Sequence, residues 1–90
     1  MKKNFVVTSE QGIHARPATE LVMVANQFES EVMIESNDRS ADMKSIMGLM
    51  SLGLYRGQKF SIVATGDDGA DAVDKLEVLL KEKKLANIDE

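Results

Sequence analysis

The run Gly12-Ile13-His14-Ala15-Arg16-Pro17-Ala18 holds the only histidine of the 90-residue chain, placed between a turn-forming glycine and a proline suited to a first helical turn. A histidine that caps a helix can present a ring nitrogen to a phosphoryl group, whose oxygens then meet unpaired backbone N–H donors and the positive helix end. The chemistry this suits is acceptance of a phosphoryl group. The amides of Ala15 and Arg16 would contact its oxygens, and the Arg16 guanidinium would supply a mobile counter-charge. Nδ1 lies closer to the backbone than Nε2, so it is the nitrogen from which a phosphoryl group would reach those amides. Taken singly, His14 reads as an exposed capping residue, Arg16 as a solvated side chain and Pro17 as a good first-turn residue. Their order side by side is what points to chemistry.

These residues need a strand before them and a helix after them. From about Lys3 to Thr8 the β-branched and aromatic content predicts a strand, and Ser9-Glu10-Gln11-Gly12 supplies the turn that follows. Beyond Pro17, the residues Ala18, Leu21, Val22 and Ala25 fall at i, i+3, i+4 and i+7, which predicts an amphipathic helix ending near Gln27. Glu31 to Glu35 reads as a half-buried strand with Val32 and Ile34 on one face. Ser36-Asn37-Asp38-Arg39 forms a turn, and Ser40 to Met43 returns as a second strand of a hairpin. Ser45 opens a short helix over Ile46-Met47-Gly48-Leu49-Met50-Ser51-Leu52, which Gly53 ends. Lys59 to Thr65 is a strand with Phe60, Ile62 and Ala64 inward, and Gly66-Asp67-Asp68 is a turn and helix cap. The last helix runs from about Gly69 to Lys84 with Val73, Leu76 and Leu80 as its apolar stripe. Gly69 should weaken the start of that helix by roughly 1 kcal/mol relative to Ala. The order βαββαβα has too few helices to cover both faces of a sheet. The expected fold is therefore α+β, an antiparallel sheet covered by helices on one side, in a single domain over 1–90.

Composition narrows the functions open to such a domain. With no cysteine there is no thiolate nucleophile, disulfide framework or cysteine zinc site, and one histidine leaves an all-protein transition-metal site short of ligands, so no metal is expected. A net charge of -4 argues against nucleic-acid binding, which rests on Lys and Arg. Lys2-Lys3 precedes only the brief apolar run Phe5-Val6-Val7, far short of a signal-peptide core, and nothing approaches membrane-spanning length. The expected setting is cytoplasmic, without membrane insertion.

Two segments, Gly12-Ile13-His14-Ala15-Arg16-Pro17-Ala18 and Lys44-Ser45-Ile46-Met47-Gly48-Leu49-Met50-Ser51-Leu52-Gly53, together closely resemble HPr, the histidine phosphocarrier family of the phosphoenolpyruvate-dependent sugar phosphotransferase system. The resemblance covers essentially the whole chain, including the Gly66-Asp67-Asp68 turn before the final helix. It implies an open-faced β-sandwich with a four-stranded antiparallel sheet and three helices on one face. It also implies that His14 takes a phosphoryl group on Nδ1 from phosphorylated enzyme I and passes it to an enzyme IIA domain, with Arg16 assisting. No cofactor is implied, and the chain would be a carrier turned over by its partners rather than a stand-alone enzyme. A monomer suffices for that role.

The segment Lys44-Ser45-Ile46-Met47-Gly48 is similar to the version found in low-GC Gram-positive members. There, the resemblance implies, this serine is phosphorylated by an HPr kinase/phosphorylase for regulation. Ser45 has a structural role as an N-cap as well, and the two are compatible, because a phosphate there would again sit at a helix N-terminus. Leu49 and Leu52 already supply the inward face of so short a helix, which leaves Ile46, Met47 and Met50 for partner docking. By similarity these join Thr19, Glu20 and the His14 loop in one convex surface read by enzyme I and enzyme IIA. Two positions depart from the family pattern, Gly69 and the Tyr55-Arg56 pair, and neither is expected to touch the phosphoryl site. Other readings stay open: a regulatory paralogue that binds a catabolite-control transcription factor, a nitrogen-related phosphotransferase carrier, and a small α+β binding domain with no covalent chemistry. Retention of His14 argues against a purely regulatory form.

Overall fold

The computed structural model describes residues 1–89 and contains, in chain order, β1 (Lys2–Val7), α1 (Ala15–Ala25), β2 (Glu31–Ser36), β3 (Arg39–Asp42), α2 (Ile46–Ser51), β4 (Lys59–Thr65), α3 (Gly69–Glu82) and β5 (Ala86–Ile88). Glu90, the final residue of the expected 1–90 domain, lies outside the described residues. The first seven elements follow the order read from the sequence. The eighth corrects it, because the sheet has five strands rather than four, in the order β3-β2-β4-β1-β5 with every neighbouring pair antiparallel. The chain leaves α3 through Lys84 at φ 55, and Ala86 and Ile88 then pair with Val7 and Phe5. A segment this short has no periodicity of its own, and its strand character comes from the β1 edge it completes.

Strand alternation sends one set of side chains to a single face of the sheet. Phe5 and Val7 of β1, Val32 and Ile34 of β2, and Phe60, Ile62 and Ala64 of β4 are all buried there, and the helices cover them. Asn4, Glu35, Lys59 and Thr65 remain exposed. Phe5 and Phe60 are directly paired across β1 and β4, and their rings stack with centroids 5.3 Å apart. Such a pair contributes about 0.5–1.5 kcal/mol beyond its burial. The apolar stripe of α1, Ala18, Leu21, Val22 and Ala25, is buried as its spacing predicts, as are Val73, Leu76 and Leu80 of α3.

Two connections define the opposite ends of the sheet. Asn37 and Asp38, at φ 52 and 63, form the two-residue turn between β2 and β3, with Ser36 paired to Arg39. Positive φ at both central positions is the signature of a type I′ turn, whose twist matches that of the strands. At the far end of the sheet, Asp68 occupies the residue before α3 but makes no cap bond with its side chain, which corrects the capping expectation. Its carboxylate instead reaches across to the α1–β2 connection, accepting hydrogen bonds from the Glu29 and Ser30 amides at 3.0 and 2.9 Å and from the Ser30 hydroxyl. The Ser30 hydroxyl, followed by the Glu29 amide, holds the Asp68 carboxyl below the usual carboxylate range. Gly69 opens α3 where a Cβ would lie 3.2 Å from the Ala64 carbonyl oxygen, so the glycine permits close approach of helix to strand. The penalty expected for glycine in a helix interior does not carry over to this first position.

Candidate functional site

The residues around His14 are placed by three backbone bonds. The Gly12 amide donates to Ser9 O at 3.0 Å, the Ile13 amide donates to Leu54 O at 2.9 Å, and the Ala18 amide donates to His14 O at 2.9 Å. Gly12 has φ 69, and a Cβ there would overlap the Leu54 carbonyl oxygen and lie 3.1 Å from the Tyr55 Cα. Only glycine allows the loop to pass this close to the segment that follows α2. Ile13 is buried beneath the loop as an anchor. The next residue, His14, is the N-cap of α1, extended at φ -91 and ψ -174, with an exposed side chain that makes no cap bond.

The helix end above His14 is open. Pro17 has no N–H, and among the described residues the amides of Ala15 and Arg16 have no hydrogen-bond partner. An unpaired pair of donors at a helix N-terminus, reinforced by the helix dipole, is suited to an anion. The Arg16 side chain is exposed and, among the described residues, enters no ion pair. The structure therefore brings together a nucleophilic ring, two free amides and a free guanidinium within three consecutive residues.

Ser45 stands at the N-cap of α2, and its hydroxyl oxygen accepts a hydrogen bond from the Gly48 amide at 3.0 Å. The Asn26 side chain at the end of α1 donates to Lys44 O at 3.1 Å, whereas Leu54, beyond α2, pairs with Ile13 before α1 begins. The two helices thus run in opposite directions, and Ser45 lies at the end of α1 remote from His14. The eleven residues of α1 rise about 1.5 Å each, which separates the two positions by roughly 15 Å. They do not form one site.

Between these ends lies an apolar surface. Ile46, Met47 and Met50 are exposed by 43, 83 and 40 %, while Leu49 and Leu52 are buried, the division the sequence suggests. On α1, the Thr19 hydroxyl donates back to Ala15 O at 2.9 Å, and Glu20 pairs with Lys83 at 3.7 Å. Two residues that the sequence reading did not place here belong to the same surroundings. Met23 is 64 % exposed on the side of α1 away from its buried stripe, and the helical spacing of that stripe was signal enough to find it. Tyr55 is 70 % exposed. Its backbone abuts Gly12, two residues before His14, although no hydrogen bond or ion pair joins Tyr55 or Arg56 to His14, Ala15 or Arg16 among the described residues. Nothing local in the sequence marks that contact, which depends on how α2 returns to the loop.

Comparison with known proteins bears directly on this geometry. A family model described as the PTS HPr component phosphorylation site matches residues 1–82. Among solved structures, a histidine-containing phosphocarrier protein from Mycoplasma is 30% identical, with 94% of this chain and 97% of that chain covered and a TM-score of 0.92. The phosphocarrier protein HPr of Bacillus anthracis is 34% identical over 88% of this chain and 94% of that chain, with a TM-score of 0.82. Crh, a catabolite repression protein of Bacillus subtilis seen as a swapped dimer, is 39% identical over 86% of this chain and 88% of that chain, with a TM-score of 0.73.

Proposed function

The chain belongs to the HPr phosphocarrier family, and from that premise we propose that His14 is its covalent phosphoryl acceptor, charged by phosphorylated enzyme I and discharged to enzyme IIA domains in sugar uptake. The observation that carries this reading is the exposed ring of His14 at the N-cap of α1, beside the unpaired amides of Ala15 and Arg16. In the transfer, the lone pair of Nδ1 forms the new N–P bond as the bond from phosphorus to the donor's histidine nitrogen breaks. The proton of the neutral His14 ring stays on Nε2. Negative charge spreads over the three phosphoryl oxygens in a loose transition state, so positioning and charge stabilisation are the main demands. The Ala15 and Arg16 amides and the Arg16 guanidinium answer them. The carrier acts in the cytoplasm as a monomer, without metal or cofactor.

Ser45 is a regulatory phosphorylation site in this reading, the target of an HPr kinase/phosphorylase, and Ile46, Met47, Met50, Thr19 and Glu20 form the docking surface. The distance between Ser45 and His14 constrains how regulation works. A charge of -2 about 15 Å from the His14 phosphoryl group interacts by only about 0.5 kcal/mol per unit charge in water, before screening. A Debye length of about 8 Å removes most of that. Phosphorylation at Ser45 therefore acts by placing charge beside the apolar docking residues, not on the chemistry at His14. The likeness to Crh supports a second, regulatory reading, in which the serine-phosphorylated chain binds a catabolite-control transcription factor. The two roles use opposite ends of one surface and are compatible.

Incubation with phosphoenolpyruvate, Mg²⁺ and a bacterial enzyme I, followed by intact-mass analysis, tests the carrier reading. An acid-labile phosphate absent from His14→Ala is the expected result. No phosphate on the wild-type chain, with an enzyme I that charges another carrier, refutes it.

A further inference from the structure

We infer that Tyr55 is a docking residue for the protein that delivers the phosphoryl group, an aromatic anchor between the His14 loop and the apolar face of α2. The inference rests on the carrier reading and adds to it a contact that the motif residues do not include.

Transfer between two histidines requires the donor's phosphorus to reach within bonding distance of a nitrogen on His14, so the donor protein must cover the surface around that ring. A specific interface buries about 800 Å² on each partner, a disc of roughly 16 Å radius. Tyr55 lies inside it. Its Cα is 3.1 Å from the position of a Cβ on Gly12, and Gly12 is two residues from His14. With about 3.8 Å between successive Cα atoms, the Tyr55 and His14 Cα atoms are at most about 12 Å apart.

The side chain is also held in a way that suits recognition. The ring lies against Gly53, where a Cβ would meet its Cε2 atom at 3.2 Å, which sets it at the C-terminal end of α2, the end that carries Met50. The backbone is fixed on both sides by Gln58, whose side chain accepts from the Tyr55 amide at 2.8 Å and whose own amide donates to Tyr55 O at 3.0 Å. Tyr55 is nevertheless 70 % exposed, the only aromatic side chain among the exposed large hydrophobic residues of the described chain. An exposed tyrosine on a fixed backbone loses little conformational freedom on binding, and tyrosine is among the residues enriched at the energetic centre of interfaces.

The test compares wild type, Tyr55→Ala, Tyr55→Phe and His14→Ala as substrates for enzyme I charged with phosphoenolpyruvate. Tyr55→Ala is expected to raise KM for the carrier about tenfold, with kcat within about twofold because the ring does not touch the transferring group. Tyr55→Phe should stay near wild type. Thermal unfolding of Tyr55→Ala at the wild-type temperature would show that the loss is one of contact. An unchanged KM, or a fall confined to kcat, overturns the docking role while leaving the carrier reading intact, provided wild type is charged and His14→Ala is not. A wild-type chain that accepts no phosphoryl group overturns both.

Discussion

Replacing Gly12 with alanine tests whether the loop before α1 is what positions His14. Two costs are readable from the structure. At φ 69 an L-residue sits in the left-handed region, which costs about 1–2 kcal/mol. The new Cβ would also overlap the Leu54 carbonyl oxygen, and moving the loop away breaks the Ile13 amide bond to that same oxygen at a buried position, a loss of about 1–3 kcal/mol. Gly57 provides the control, because it too has positive φ, at 88, but a Cβ there meets nothing within 4 Å. Gly57→Ala should therefore carry the backbone cost alone. For a domain of this size each kcal/mol corresponds to roughly 4–8 °C in Tm. Gly12→Ala should fall about 10–40 °C below wild type by differential scanning fluorimetry, and Gly57→Ala about half as far. The two should also differ in function. With both variants assayed well below their transitions, Gly12→Ala should accept phosphoryl from enzyme I at least about tenfold more slowly, because a displacement of about 1 Å at the acceptor is enough for that, whereas Gly57→Ala should be close to wild type. Equal Tm values for the two variants, within about 3 °C, would refute the steric argument. A Gly12→Ala variant that is destabilised but fully active would refute the claim that the Leu54 contact sets the site.

Other outcomes follow from the same geometry. Arg16→Ala should slow phosphoryl acceptance by about tenfold or more while leaving a detectable phosphohistidine, and a rate equal to wild type would remove the guanidinium from the mechanism. Ser45→Ala should lower stability by about 1 kcal/mol through loss of the cap to Gly48, measured by urea denaturation. Ser45→Asp should raise KM toward enzyme I yet leave the hydrolysis rate of phosphorylated His14 unchanged, and a changed hydrolysis rate would contradict the long separation. Asp68→Asn should lower Tm at neutral pH. Because the fold depresses the Asp68 pKa, its contribution is present above the unfolded carboxylate pKa of about 3.9 and is lost as pH falls through the folded value. The gap in Tm between Asp68→Asn and wild type should therefore close in acid, and a gap that persists there would sink the assignment.

Much of this was legible in the chain because the signals are local. The alternation of Phe60, Ile62 and Ala64 and the i, i+3, i+4, i+7 spacing of Ala18, Leu21, Val22 and Ala25 need no knowledge of distant residues. Ser45, with Gly48 three residues on, reads as a cap and is one. Other features failed for the converse reason. Asp68 looks like a cap until the backbone of Glu29 and Ser30 arrives from another part of the chain and takes its carboxylate. Ala86–Ile88 is a strand only because β1 offers an edge. At the site, His14, Ala15 and Arg16 were visible because they are adjacent, whereas Tyr55 reaches the loop through tertiary structure.

The position of β1 sets the order in which this sheet can be made. Its partners on either side, β4 and β5, come from the second half of the chain, with β5 following every other described element. The hairpin of β2 and β3 can close early on its two-residue turn, but the strand that leads into the His14 loop waits, unpaired on both edges, until those partners have been synthesised. During biosynthesis the loop that bears His14 is thus fixed late, and a chain whose His14 loop is in place is one whose distant ends have already met.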